Sequence, residues 1–169
     1  MKYLENQRIK KIKSKKELSE SVKVLRTSFL TVAHNFNLTK ENAPTNPAFI
    51  TFDKLNELKN KGLKLYGIYN RSKKRQIGFV VIEKVNKVLY YMEKLCVLPD
   101  FRHNGYGKLL MDYVFNYVRK KKGNNVSIGI INKNLILKDY YIKYGFVEIN
   151  LKKFDHLPFT VCFMEKKLE

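Results

Sequence analysis

One run of segments restricts this chain more than any other. Three consecutive stretches are rich in β-branched and aromatic residues: LKLYGIYN (63–70), RQIGFVVIEKV (75–85) and VLYYMEKLCVLP (88–99). NRSKK and KVNK separate them with turn chemistry. The stretches read as three antiparallel strands in a row, the third closed by Pro99 and Asp100. A glycine-spaced turn follows, and then GYGKLLMDYVFNYVRKKKG (105–123). There Leu110, Tyr113, Val114 and Tyr117 form a helical stripe, basic residues fill the last turn, and Gly123 ends it.

The flanks extend this frame. ENQRIKKIKS (5–14) reads as a short strand. Lys15 to Phe36 reads as an amphipathic helix, with Leu18, Val22, Leu25, Phe29 and Val32 spaced by three or four. NLTKENAPTNPAF (37–49) is a loop carrying Pro44 and Pro47. Thr51 caps a second helix over FDKLNELKNK (52–61), which Gly62 ends. After Gly123, NVSIGII (125–131) is a strand and NLILKDYYIKYG (134–145) a short helix. FVEINLKKF (146–154) and FTVCFMEKKL (159–168) form a final antiparallel pair. The expected fold class is α/β (α+β): a mixed, mainly antiparallel central sheet of about six to seven strands, flanked on both faces by about four helices. The 169 residues are expected to form a single domain over 1–169.

The chemistry lies in the turn PDFRHNGYGKLL. Arg102, Gly105 and Gly107 form R-x-x-G-x-G just before a helix. Glycine lets the backbone approach a ligand with no Cβ in the way. The first N–H groups of a helix have no intrahelical partner, and the helix dipole favours negative charge there. No acidic residue occurs between Phe101 and Met111, and Arg102, His103 and Lys108 are basic. The turn therefore reads as an anion site suited to a pyrophosphate, although a plain tight turn fits the same glycines. A dinucleotide fingerprint fits poorly, because Lys121 and Lys122 occupy the region where its acidic residue falls. The pattern of a P-loop is absent.

Composition excludes other classes. The chain lacks an apolar run long enough to cross a membrane or act as a signal peptide, so a cytoplasmic protein is expected. Cys96 and Cys162 sit in apolar runs and read as buried thiols, and His34, His103 and His156 are scattered. No spacing resembles a metal site, so no metal is expected. The net charge of +19 fits either a nucleic-acid surface or compositional drift. Lysines spread along the whole chain favour drift, and no nucleic-acid motif accompanies them.

A second signature follows the turn: Asn134, Tyr141, Lys143, Gly145 and Phe146, as N-x-x-x-x-x-x-Y-x-K-x-G-F. Together with EKLCVLPDFRHNGYGKLL it resembles the GNAT N-acetyltransferase superfamily, in the order of elements from first strand to last. The N-terminal part and the tail resemble a bacterial subgroup of it. The resemblance implies acetyl-CoA (coenzyme A) as donor. It implies that Leu95, Cys96 and Val97 on the fourth strand lie beside the pantetheine arm. Their backbone would polarise the acetyl carbonyl, a device worth roughly 3 kcal/mol per donor where measured. It places the pyrophosphate on Arg102, His103, Asn104, Gly105, Tyr106, Gly107 and Lys108, and the cofactor arm against Asn134 and Tyr141. Tyr141 would protonate the departing thiolate.

The implied reaction is direct transfer to a primary amine of a small molecule, protein or peptide in a ternary complex. Many members carry a fifth-strand Glu where this chain has Gly129, and Glu93 is the best substitute as base. Strand alternation, bulges aside, puts Tyr91, Glu93 and Leu95 on one face. Glu93 also fits a simple ion pair with a neighbouring lysine, and Tyr141, beside Tyr140 and Tyr144, also fits core packing. For the acceptor the resemblance points to the segments around Phe36–Phe52 and Phe154–Pro158, which offer Phe36, Asn42, Asn46, Phe49, Phe154 and His156 beside Glu93. A homodimer is compatible with these readings. The alternatives are a degenerate member that binds acyl-CoA without catalysis and, on charge alone, a nucleic-acid-binding protein.

Overall fold

A computed structural model describes residues 7–70, 72 and 74–169. Its strands are β1 (Gln7–Lys11), β2 (Lys64–Asn70), β3 (Arg75–Lys84), β4 (Leu89–Val97), β5 (Asn125–Ile131), β6 (Val147–Lys153) and β7 (Thr160–Lys167). Its α-helices are α1 (Lys15–Asn35), α2 (Phe52–Asn60), α3 (Tyr106–Lys120) and α4 (Leu135–Lys143). Short 3₁₀ turns occupy Pro47–Phe49 and Pro99–Phe101. The start of the expected first strand, Glu5 and Asn6, and two residues of the NRSKK turn, Arg71 and Lys73, lie outside the described residues.

The seven strands form one sheet in the order β1-β2-β3-β4-β5-β7-β6. Every neighbouring pair is antiparallel except β4 and β5, which are parallel. The mixed, mainly antiparallel sheet read from sequence is thus present. One face packs on α1, where Leu18, Val22 and Leu25 meet Phe79, Val81 and Cys96. The other packs on α3, where Leu110, Met111, Val114 and Val118 meet Val80, Ile82, Tyr90 and Val126. The α1 stripe forms because its start is closed. Ser14 Oγ accepts from Glu17 N at 3.2 Å, and Glu17 Oε2 accepts from Ser14 N at 3.0 Å.

The sheet opens in one place. β4 and β5 pair only at Leu89–Asn125, Tyr90–Val126 and Tyr91–Ser127, although β4 runs on to Val97 and β5 to Ile131. Beyond those pairs no ladder joins the two strands among the described residues. Part of the cause lies in β4. Phe79 faces Cys96 while Val81 faces Glu93, so Val80 faces two residues of β4, Lys94 and Leu95. That is a β-bulge, and it bends the strand that carries it. Lys94 takes the left-handed conformation at φ 53°, which costs a side-chain-bearing residue roughly 1 kcal/mol. The bulge also reverses the alternation expected for this strand. Leu95 packs with the α3-side core, whereas Cys96 joins the α1-side core. Leu95 and Glu93 therefore do not share a face.

Candidate active site

A cleft of about 470 Å³ fills the opening between β4 and β5. It runs through the sheet. Towards α3 and α4 it is lined by Met92, Leu95, Leu137 and Tyr141, and towards α1 by Phe29, Val32, Thr45, Asn46 and Pro47. Leu157 and Phe159 close it from the β6–β7 connection, with Phe163 of β7 beside them. Glu93 and Lys94 are the charged residues that line it.

The R-x-x-G-x-G turn leads from β4 into α3. His103 (φ 61°) and Gly105 (φ 80°) are both left-handed. Gly105 is the N-cap of α3, and no side chain accepts a hydrogen bond from the helix start. Its first turn contains no acidic residue. The Lys108 ammonium pairs with Asp112 one turn along at 2.6 Å, which keeps it charged and raises its pKa. Asn104 Nδ2 donates to Arg102 O at 2.8 Å, which folds the turn on itself. His103, Asn104 and Gly105 are exposed.

Two residues of the turn have structural partners that the sequence did not disclose. The Arg102 guanidinium points to α1, not to the turn. Its Nη2 donates to Ser28 O at 2.7 Å, Nη1 to Thr31 Oγ1 at 3.1 Å and Nε to Val97 O at 3.1 Å. Its backbone N–H is also used, on Pro99 O. Arg102 thus ties α1 to the end of β4, and an anion on the turn would have to be held by the residues after it. At Gly107 a Cβ would meet Tyr140 Oη at 2.9 Å. The glycine makes room for α4 as well as for any ligand. Tyr106 is buried.

α4 brings Tyr141 to the cleft. Asn134 caps this helix, its side chain accepting from Leu137 N at 3.2 Å. The Tyr141 ring packs edge-on to Phe146 at 5.3 Å and to Tyr140 at 5.5 Å. Burial pushes its phenol well above the usual range, with Tyr140 and Cys96 adding to the shift. The hydroxyl keeps its proton through neutral pH, as a proton donor must. Cys96 is likewise pushed up, to about 12, by burial, against opposing effects of Ser28 and Arg102. It stays a thiol, which fits a structural residue and not a nucleophile.

On the α1 side, Glu93 Oε2 pairs with Lys94 Nζ at 3.1 Å. Gly129 of β5 also lines the cleft and offers no carboxylate. Asn46 lines the cleft too, while its side chain holds Ala48 N at 2.9 Å. The other residues named for the acceptor lie elsewhere. Phe36 and Phe49 pack against a small core of Ala33, Leu38, Ala43, Ala48 and Ile131. Asn42 closes its own loop by hydrogen bonds with Thr39 and Asn37. Phe154 stacks near His156 at 5.7 Å and Phe163 at 6.4 Å, outside the cleft wall. The aromatic rings that do line it are Phe29, Phe159, Phe163, Tyr91 and Tyr141. Phe29 and Val32 were legible only as part of the α1 stripe. Their position near the open C-terminal half of the helix, beside a Pro-rich loop, was the available signal.

A family model described as an acetyltransferase (GNAT) domain matches residues 63–148, which span β2 to the start of β6. The chain belongs to the GNAT family. No curated protein sequence matches this GNAT chain. Solved structures share its fold. The ribosomal-protein-S18-alanine N-acetyltransferase from Escherichia coli superposes with a TM-score of 0.75 at 11% identity, covering 96% of this chain and 94% of that one. Ard1 from Thermoplasma volcanium gives 0.73 at 18% identity over 97% and 99%. The PaiA N-acetyltransferase from Thermoplasma acidophilum, solved with coenzyme A, gives 0.71 at 17% identity over 95% and 98%. At such identities the likeness is one of fold. Among the described residues, no helix is long and apolar enough to cross a membrane. No group of three or more His, Cys, Asp or Glu is placed to hold a metal ion among them.

Proposed function

We propose that this GNAT protein is an acetyl-CoA-dependent N-acetyltransferase that moves an acetyl group directly to a primary amine in a ternary complex. One observation carries the reading. β4, whose edge stands open beside the cleft, leads through the short Pro99–Phe101 turn into a helix start without a side-chain cap, so a cleft and a candidate anion site are carried by successive elements of the chain. The chemistry of those elements fits coenzyme A. An apolar groove with a free strand edge suits an extended arm bearing amides, and a bare helix N-terminus suits a diphosphate.

Acetyl-CoA supplies the acyl group as a thioester. The backbone N–H groups of His103 to Lys108 hold the diphosphate, with the glycines permitting close approach. The backbone of β4 from Leu95 to Val97 lies along the arm and donates towards the carbonyl oxygen that gains charge. Tyr141, protonated and buried, gives its proton to the departing sulfur. Glu93 is the one carboxylate lining the cleft among the described residues, and it takes the proton that the attacking amine must lose. Apolar walls exclude water, which limits hydrolysis of the thioester.

The test has two stages. Acetyl-CoA should raise the melting temperature of the purified protein, since a ligand that binds only the folded state stabilises it. Thiol should then be released when an amine is added. Stabilisation without thiol release from any amine would instead favour a binding-only protein, the reading that Gly129 permits.

A further inference from the structure

Among the described residues, charge enters the lining of the cleft at Glu93 and Lys94 only, and they pair with each other. Around them the acceptor side is walled by Phe29, Val32, Leu157, Phe159 and Phe163. A polyamine or aminoglycoside carries several ammonium groups and needs several carboxylates. Here one carboxylate, already neutralised by a lysine, sits in a chain of net charge +19. That field repels a polycation.

Lys94 carries a second argument. It occupies the left-handed position of the β4 bulge, at φ 53°, where Gly or Asn is the easier occupant. A long cationic side chain stands there instead, 19% exposed and at the cleft wall. Its ammonium donates to Glu93 and makes no other hydrogen bond to the described residues. Two of its three donors remain for a ligand. Strained residues on the wall of a cavity are where ligand contacts concentrate.

We infer that the acceptor is an α-amino group beside a carboxylate or carbonyl oxygen, on an apolar body: an apolar α-amino acid or an apolar peptide amino terminus. Glu93 receives the amine, Lys94 receives the neighbouring oxygen, and the aromatic wall receives the side chain. The inference rests on the acetyltransferase reading and goes beyond it by naming the class of acceptor.

The experiment measures thiol release from acetyl-CoA by the full chain with phenylalanine, a phenylalanyl dipeptide, phenethylamine, spermidine and an aminoglycoside. Phenylalanine or the dipeptide should exceed phenethylamine by about tenfold in kcat/KM, the loss expected for one charge-assisted hydrogen bond. The two polycations should fall below phenethylamine. The better of phenylalanine and the dipeptide tells whether a free amino acid or a peptide end is used. Lys94→Asn keeps a residue that tolerates the left-handed conformation, and it should bring the ratio over phenethylamine towards one. A polycation as best substrate, or an unchanged ratio in Lys94→Asn, overturns the inference and leaves the acetyltransferase reading standing; no thiol release from any amine while acetyl-CoA still stabilises the protein overturns both. Absence of any stabilisation by acetyl-CoA would sink the acetyltransferase reading itself, and this inference with it.

Discussion

The starts of α1 and α3 are built in opposite ways. α1 opens with a closed box in which Ser14 and Glu17 satisfy each other's backbone N–H groups. α2 and α4 also open on a side-chain oxygen, that of Thr51 and that of Asn134. α3 opens on Gly105, which has no side chain to offer. Every helix start exposes N–H groups that need an acceptor. Among the described residues, α1, α2 and α4 find a side-chain acceptor, and α3 does not. A fold that caps its other helices with local side chains leaves this start to solvent or to an anion. The contrast separates helix starts that the chain closes itself from one that no side chain closes.

The largest expected effect concerns α4, a capped helix that contributes a side chain instead of amides. Tyr141→Phe should lower kcat by about 100-fold, the lower range for a lost general acid. The dissociation constant for acetyl-CoA, read by calorimetry, should stay within about twofold. A comparable loss of affinity would make Tyr141 a binding residue. The next effect tests the bare start directly. Gly105→Asp places a carboxylate where the diphosphate is expected, and acetyl-CoA affinity should fall by at least about tenfold. Circular dichroism should show the helices intact, because Asp is among the residues that tolerate the left-handed region. Unchanged affinity would break the comparison between the two helix starts.

Arg102 sharpens the same comparison. Its three side-chain hydrogen bonds fasten α1 to the end of β4. Arg102→Ala should therefore cost about 2 kcal/mol in urea unfolding, typical of a lost hydrogen-bonded charge. Acetyl-CoA affinity should change much less than in Gly105→Asp. The opposite pattern would return Arg102 to the anion site.

The smallest effect lies at α1. The backbone N–H groups of Ser14 and Lys13, with Lys10, hold the Glu17 carboxyl at about 2, against an ordinary value of 4.5. A depressed carboxyl adds stability that is complete above the unfolded value and fades as pH falls towards the folded one. Stability should therefore decline between about pH 4.5 and pH 2, and Glu17→Gln should flatten that part of the profile. An identical profile in the variant would show that the box contributes little.

Much of the frame was legible because it depends on residues within one turn or one strand of each other. Thr51, Gly62, Gly123 and Gly145 mark element ends by local chemistry alone. The strand-rich run from Leu63 to Pro99 and the glycines at 105 and 107 led to the same fold that the structure and the family model give. The α1 box, with Ser14 and Glu17 at its usual spacing, emerges in the structure.

What the sequence determined by itself was the order of the elements, the glycine-spaced turn before α3 and the membership of a family. Those follow from side chains acting on their own backbone. The tertiary structure decided the rest. The bulge at Lys94 turned Leu95 away from Glu93, because register depends on how β3 and β4 meet and not on β4 alone. The Arg102 guanidinium went to α1, some seventy residues earlier in the chain, since two acceptors wait there, Ser28 O and Thr31 Oγ1. The wall of the cleft came from Phe29, Phe159 and Phe163 in place of Phe36, Phe49 and Phe154. An aromatic residue in a sequence shows that it will be covered. Which surface covers it, core or cleft, is set by strands that part only when the whole sheet has formed.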